Sequence, residues 1–137
     1  MPRTTVRWVK ERHFVGTDSN NHSVVLSGQD KGIGVAPSQM LLIALASCSA
    51  VDVVEILEKK RIKLTMLEIT ANGEQAPDPP WPYRKIHVKY LLSGEGLTEK
   101  AVEQAIHLSH EKYCSVAATV RGVAQITTEY RIIANDK

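Results

Sequence analysis

Apolar positions along this chain change their period several times, and the changes mark out the elements. From Thr4 to Gly16, valines and aromatics interleave with charged residues, which predicts a strand. Asp18-Ser19-Asn20-Asn21 is a turn cluster, and Ser23 to Leu26 is a second short strand, so the chain opens on a hairpin. Gly28 to Gly34 reads as a flexible loop, because Gly32-Ile33-Gly34 is not followed by the helix opening of a dinucleotide site. Pro37 then opens a helix to about Lys60, since its missing N–H costs nothing in a first turn. Between Met40 and Leu57 this segment is apolar nearly all round, the pattern of a helix buried on most sides. So small a chain cannot wrap such a helix alone, and a second subunit is expected to cover part of it.

Ile62 to Glu74 predicts another strand, and Pro77 to Pro82 must be loop because proline cannot donate to a ladder. Tyr83 to Leu92 alternates: Arg84, Ile86, Val88, Tyr90 and Leu92 share one face, with Lys85, His87 and Lys89 on the other. A turn over Ser93 to Gly96 follows. Thr98 is placed to cap a helix, with Glu99 in its first turn, and that helix is expected to reach Tyr113. Cys114 to Val120 reads as a further short helical turn ended by Gly122, and Val123 to Ile133 as a closing strand. Strands, long helix, strands, helix, strand is an α+β order with a mainly antiparallel sheet, expected as one domain over residues 1–137.

A length of 137 residues suits one compact domain, and a net charge of +2 leaves no electrostatic footprint for nucleic acid. The basic run Lys59-Lys60-Arg61 falls where a helix should end, where it complements the helix dipole. The opening residues carry no apolar core and no small-residue cleavage site, so no signal peptide is expected. The most apolar run, Met40 to Ala46, is too short to cross a bilayer. No membrane partner is expected, and the expected location is the cytoplasm. Two cysteines in a reducing compartment point to chemistry, metal or burial before a structural staple.

Cys48 lies inside the apolar helix, in Ala46-Ser47-Cys48-Ser49-Ala50, where small neighbours admit close approach. Asp52 follows four residues later on the same helix face, amid Val51, Val53 and Val54. A carboxylate there must be paired, hydrated or functional. Its charge opposes a Cys48 thiolate, yet it can also take the thiol proton, and an interface ion pair is an equal alternative. Cys114 begins a helical turn, where free N–H groups and Lys112 would favour a thiolate, and Glu111 would oppose one unless an arginine neutralises it. Each cysteine can instead be a core residue, a reading that burial statistics favour for Cys48 more than for Cys114. His107, His110 and Cys114 are spaced to share one helix face, and Cys48 would complete a four-ligand zinc site. That spacing matches no common zinc motif, and no metal or other cofactor is expected.

Two stretches together resemble a known family. The run from Ala36 to Val54, APSQMLLIALASCSAVDVV, is similar to the first cysteine helix of the OsmC/Ohr family, and Glu111 to Ala117, EKYCSVA, to its second cysteine segment. The likeness is greatest to the YhfA-like branch, and the order of elements agrees along almost the whole chain. The resemblance implies an OsmC-like fold: an antiparallel sheet with a long central cysteine-bearing helix, in an intertwined homodimer with sites at the subunit interface. It also implies reduction of an organic hydroperoxide or other small apolar substrate. Cys48 would be the attacking thiolate, Cys114 the resolving thiol, and a dithiol the reductant. Gln39 and Glu111 would help orient the site, and Asp52 would move a proton. The peroxidase branches open the cysteine helix with Asn-Pro-Glu-Gln; here Pro37 and Gln39 match while Ser38 replaces the glutamate. Their thiolate-stabilising arginine has no aligned counterpart, although Arg12 lies in the corresponding region. These departures keep a second expectation open, a non-catalytic small-ligand-binding or redox-sensing dimer of the same fold.

Overall fold

In the computed structural model, residues 1–28 and 32–134 are described, and they form two compact units divided after Leu41. The middle of the glycine-rich loop, residues 29–31, lies outside the described residues.

The first unit is a three-stranded antiparallel sheet of β1 (Thr5–Lys10), β2 (His13–Thr17) and β3 (Ser23–Ser27), in that order. The single strand expected over Thr4 to Gly16 is therefore two. The chain reverses at Glu11, whose φ of 48° is left-handed and whose carbonyl accepts the Trp8 indole N–H at 2.8 Å. Alternation runs straight through such a tight reversal, so the pattern alone hid it. The expected turn at Asp18 is present: its carboxylate accepts the backbone N–H of Asn20 and His22 at 2.8 and 2.9 Å. Gly34 lets Val35 bridge to Leu26, because a Cβ on Gly34 would meet the Val25 carbonyl oxygen at 2.7 Å.

The second unit carries most of α1 (Pro37–Lys59), then β4 (Lys63–Gln75), β5 (Tyr83–Glu95), α2 (Glu99–Leu108), a π-helical turn (Ser109–Tyr113), α3 (Ser115–Val120) and β6 (Gln125–Ile132). β5 is central, antiparallel to β4 and parallel to β6. The sheet is thus mixed, since hydrophobic period does not report strand direction. The expected turn over Ser93 to Gly96 is largely strand: β5 continues to Glu95 and ends at Gly96, with φ at +76°. Thr98 caps α2 as expected, its hydroxyl accepting the Ala101 N–H at 3.1 Å.

The core sits between one stripe of α1 and one face of β5. Leu45, Ser49, Val53 and Leu57 recur every fourth residue and are buried, against Ile86, Val88, Tyr90 and Leu92 on alternate β5 positions. α2 adds Ala101, Val102, Ala105 and Ile106. Arg84, expected on that β5 face, is exposed near the strand's first residue. Each fully buried Val, Leu or Ile contributes about 1.5–3 kcal/mol, so this layer dominates the unit's stability. The remaining faces of α1 stay open, with Ile43, Val51 and Val54 all exposed. By length and composition alone α1 could also cross a membrane, which the short run Met40 to Ala46 did not foretell. One stripe of α1 is buried, and Asp52 beside it bonds Ser109.

Candidate functional site

Three of the five residues expected at the site come together in the second unit. One ligand atom each from Cys48 Sγ, an Asp52 carboxylate oxygen and Cys114 Sγ lie within 4.8 Å of one another. α1 supplies Cys48 and Asp52 one helical turn apart, which puts them on a shared face. Cys114 is brought opposite by the π turn. Its backbone N–H reaches back five residues to the Ser109 carbonyl at 2.7 Å, and the chain leaves helical geometry at Cys114, with φ −81° and ψ 103°. Both cysteines are free thiols, Cys48 half-buried and Cys114 buried.

The electrostatics of Cys114 reverse the expectation from its helix-opening position. Burial pushes the Cys114 thiol up to about 11, and the neighbouring Cys48 and Asp52 push the same way. Against them stands one N–H···S contact from Ala117, at 3.3 Å. Desolvation outweighs that donor, so Cys114 is a neutral thiol at neutral pH. Lys112, expected to favour a thiolate, is not among the groups acting on Cys114, and its ammonium lies 5.5 Å from the centre of the Tyr113 ring.

Among the described residues, the donor to Asp52 is a neutral hydroxyl. Its Oδ2 accepts the Ser109 hydroxyl at 2.9 Å, and Ser109 Oγ also lies 2.9 Å from Ser49 Oγ. Ser49 Oγ in turn lies 2.6 Å from the Tyr90 hydroxyl, which lies 2.6 Å from His110 Nε2. Burial pushes Tyr90 up to about 12 and pulls His110 below the ordinary imidazole range. Among the described residues, no shielded side-chain nitrogen or oxygen lacks a hydrogen-bond partner.

Glu111 is exposed in the π turn, 3.5 Å from the Arg121 guanidinium, so an arginine does stand beside it. Arg121 also donates to the His110 carbonyl at 2.9 Å, tying the end of α3 to the π turn. Gln39 is exposed in the opening turn of α1 and belongs to the first unit, as do His13, His22 and Arg12. The trio His107, His110 and Cys114 does not share a face: His107 is exposed, His110 bonds Tyr90, and the π turn lies between His107 and Cys114. The described group able to hold a cation is instead Cys48, Asp52 and Cys114. Ser49, Ser109 and Tyr90 are additions that the sequence reading missed. The available signal was a serine in the buried stripe Leu45, Ser49, Val53, Leu57, where a polar group must find a partner.

Comparison with known proteins gives a consistent result. A family model described as OsmC-like protein matches residues 28–129. Protein YhfA of Escherichia coli strain K12 is 33% identical over 129 residues, covering 94% of this chain and 96% of that protein. A crystal structure of a hypothetical protein from Aquifex aeolicus superposes with a TM-score of 0.89 at 31% identity, covering 99% of this chain and 98% of that one. An organic hydroperoxide resistance protein OsmC from Legionella pneumophila has the same fold, with a TM-score of 0.67 at 15% identity over 95% of this chain and 96% of that one.

Proposed function

Because this chain belongs to the OsmC-like family, we propose that it is a thiol-dependent hydroperoxide reductase whose Cys48–Cys114 pair passes electrons from a dithiol to an organic hydroperoxide. The observation that carries this reading is the sulfur pair, drawn from distant parts of the chain to within 4.8 Å, with one thiol half-buried and the other buried. A bonded S–S distance is about 2.05 Å, so the two sulfurs must approach further for the bond to form. A relative of the same fold named for organic hydroperoxide resistance adds support.

The chemistry balances without a cofactor. The Cys48 thiolate attacks the outer peroxide oxygen; the O–O bond breaks, an S–O bond forms, and the alkoxide takes a proton to leave as alcohol. Cys114 sulfur then attacks the sulfenic acid, forming S–S while hydroxide departs and takes the Cys114 proton as water. Because burial raises the Cys114 thiol, its proton must pass to the departing hydroxide as the S–S bond forms. An external dithiol reduces the disulfide and returns both thiols. Asp52, in place of an arginine, takes the Cys48 proton and returns it to the alkoxide. Glu111 and Gln39 are proposed to orient neighbouring groups, Glu111 through its pairing with Arg121.

We also propose a single domain, since the likeness to YhfA covers 94% of the chain. A homodimer fits the exposed Ile43, Val51 and Val54 on α1, and a cytoplasmic location is proposed with it. Steady-state turnover of cumene hydroperoxide with a dithiol tests the activity. Cys48→Ser is expected to abolish it, and unchanged turnover in that variant would falsify the assignment.

A further inference from the structure

A row of polar atoms leads away from the thiol cluster through the core to His110. Its successive distances are 2.9 Å from Asp52 Oδ2 to Ser109 Oγ, 2.9 Å to Ser49 Oγ, 2.6 Å to the Tyr90 hydroxyl and 2.6 Å to His110 Nε2. Ser109, Ser49 and Tyr90 are fully buried and His110 is half-buried. A buried hydroxyl left without a partner is destabilising, and one partner apiece would remove that penalty. Each of these three has a neighbour on either side, so each can donate one way and accept the other. Ser109 has one proton and two acceptors at 2.9 Å, which gives the row two orientations.

We infer that Ser109, Ser49, Tyr90 and His110 form a proton relay that exchanges the proton of Asp52 with His110. Its use in turnover rests on the thiol-redox reading of Cys48. The Cys48 S–H bond breaks and an Asp52 O–H bond forms, leaving a thiolate and a neutral acid. Asp52 then passes that proton to Ser109, Ser109 its own to Ser49, Ser49 its own to Tyr90, and Tyr90 its own to His110 Nε2. The result is an ionised Asp52, an imidazolium at His110, and three hydroxyls turned to face the other way. No electrons move, and the reverse sequence returns a proton to Asp52 for the departing alkoxide.

The titratable and charged groups acting on Tyr90 and His110 are Asp52 on α1, Cys114 ahead of α3, Glu111 on the π turn and Arg121 at the end of α3, with Cys48 beside Asp52. Burial keeps His110 neutral and able to accept at neutral pH, and keeps Tyr90 a hydroxyl rather than a phenolate.

The test is the pH profile of Cys48 alkylation by iodoacetamide, which needs no peroxide, beside the rate of Cys48 oxidation by cumene hydroperoxide. Wild type is expected to show an inflection from His110 in the alkylation profile. Tyr90→Phe keeps the ring and breaks the row at its centre. It is expected to remove that inflection and to slow oxidation about 100-fold at neutral pH. His110→Gln keeps an acceptor for Tyr90 but cannot take the proton, and should do the same; it serves if Tyr90→Phe does not fold. His107→Gln, outside the row, should change nothing. Profiles of both row variants superimposable on wild type, at equal melting temperature, overturn the relay. An inflection present in a wild type inert to peroxide keeps the relay and removes the peroxidase reading alone.

Discussion

The two thiols should differ sharply in reactivity, and the size of the difference follows from their surroundings. Cys114 is 2% exposed, and its pKa is raised from an ordinary 9.0 to about 11. At pH 8 an ordinary thiol is then about one-tenth ionised and Cys114 about one-thousandth, a factor of roughly 100 in nucleophile before access is counted. The sign also bears on stability. A folded pKa above the unfolded one contributes stability that is complete below about pH 9 and lost as pH rises towards about 11. The native protein should therefore be labelled by iodoacetamide at pH 8 on Cys48 alone, read by mass spectrometry of the quenched digest. Cys114 should label only on unfolding or above about pH 10. Equal labelling of both cysteines in folded protein at pH 8 would refute the reasoning, because burial would then not be controlling Cys114.

Other consequences follow from the same geometry. The Asp52 charge is one of the groups raising Cys114, so Asp52→Asn should move the onset of Cys114 labelling to lower pH; an upward move contradicts the coupling. Leu57→Ala empties a fully buried site between helix and sheet and should cost about 2–5 kcal/mol in urea unfolding, with a loss under about 1 kcal/mol marking the core as misassigned. Peroxide-dependent thiol loss should persist in a strong chelator, since the cycle needs only sulfur. Abolition by chelation would shift the function to a cation held by Cys48, Asp52 and Cys114.

The long periodic segments were legible in the sequence because their burial is regular. α1, β4 and β5 fall within a few residues of expectation, and the Thr98 cap was readable from residue type. Other features obey forces the pattern does not encode. The reversal at Glu11 depends on one left-handed residue, and the parallel pairing of β6 with β5 depends on chain path. The π turn has no composition signature, yet it decides the site: one helix to Tyr113 would have kept His107, His110 and Cys114 in register. Asp52 beside Cys48 was legible from a spacing of four residues. That Cys114 lies beside them came from family resemblance, and no local rule supplies it. The serine–tyrosine row escaped because a hydroxyl inside an apolar stripe reads as a small core residue until its partner, Tyr90 for Ser49, is seen.

The most direct test is to add a single equivalent of cumene hydroperoxide to the reduced protein and then map its sulfur bonds. Free thiol should vanish from both cysteines together, and a Cys48–Cys114 crosslink should be recovered within one chain. Both thiols surviving, or Cys48 passing to sulfinic acid while Cys114 stays free, would contradict a working pair.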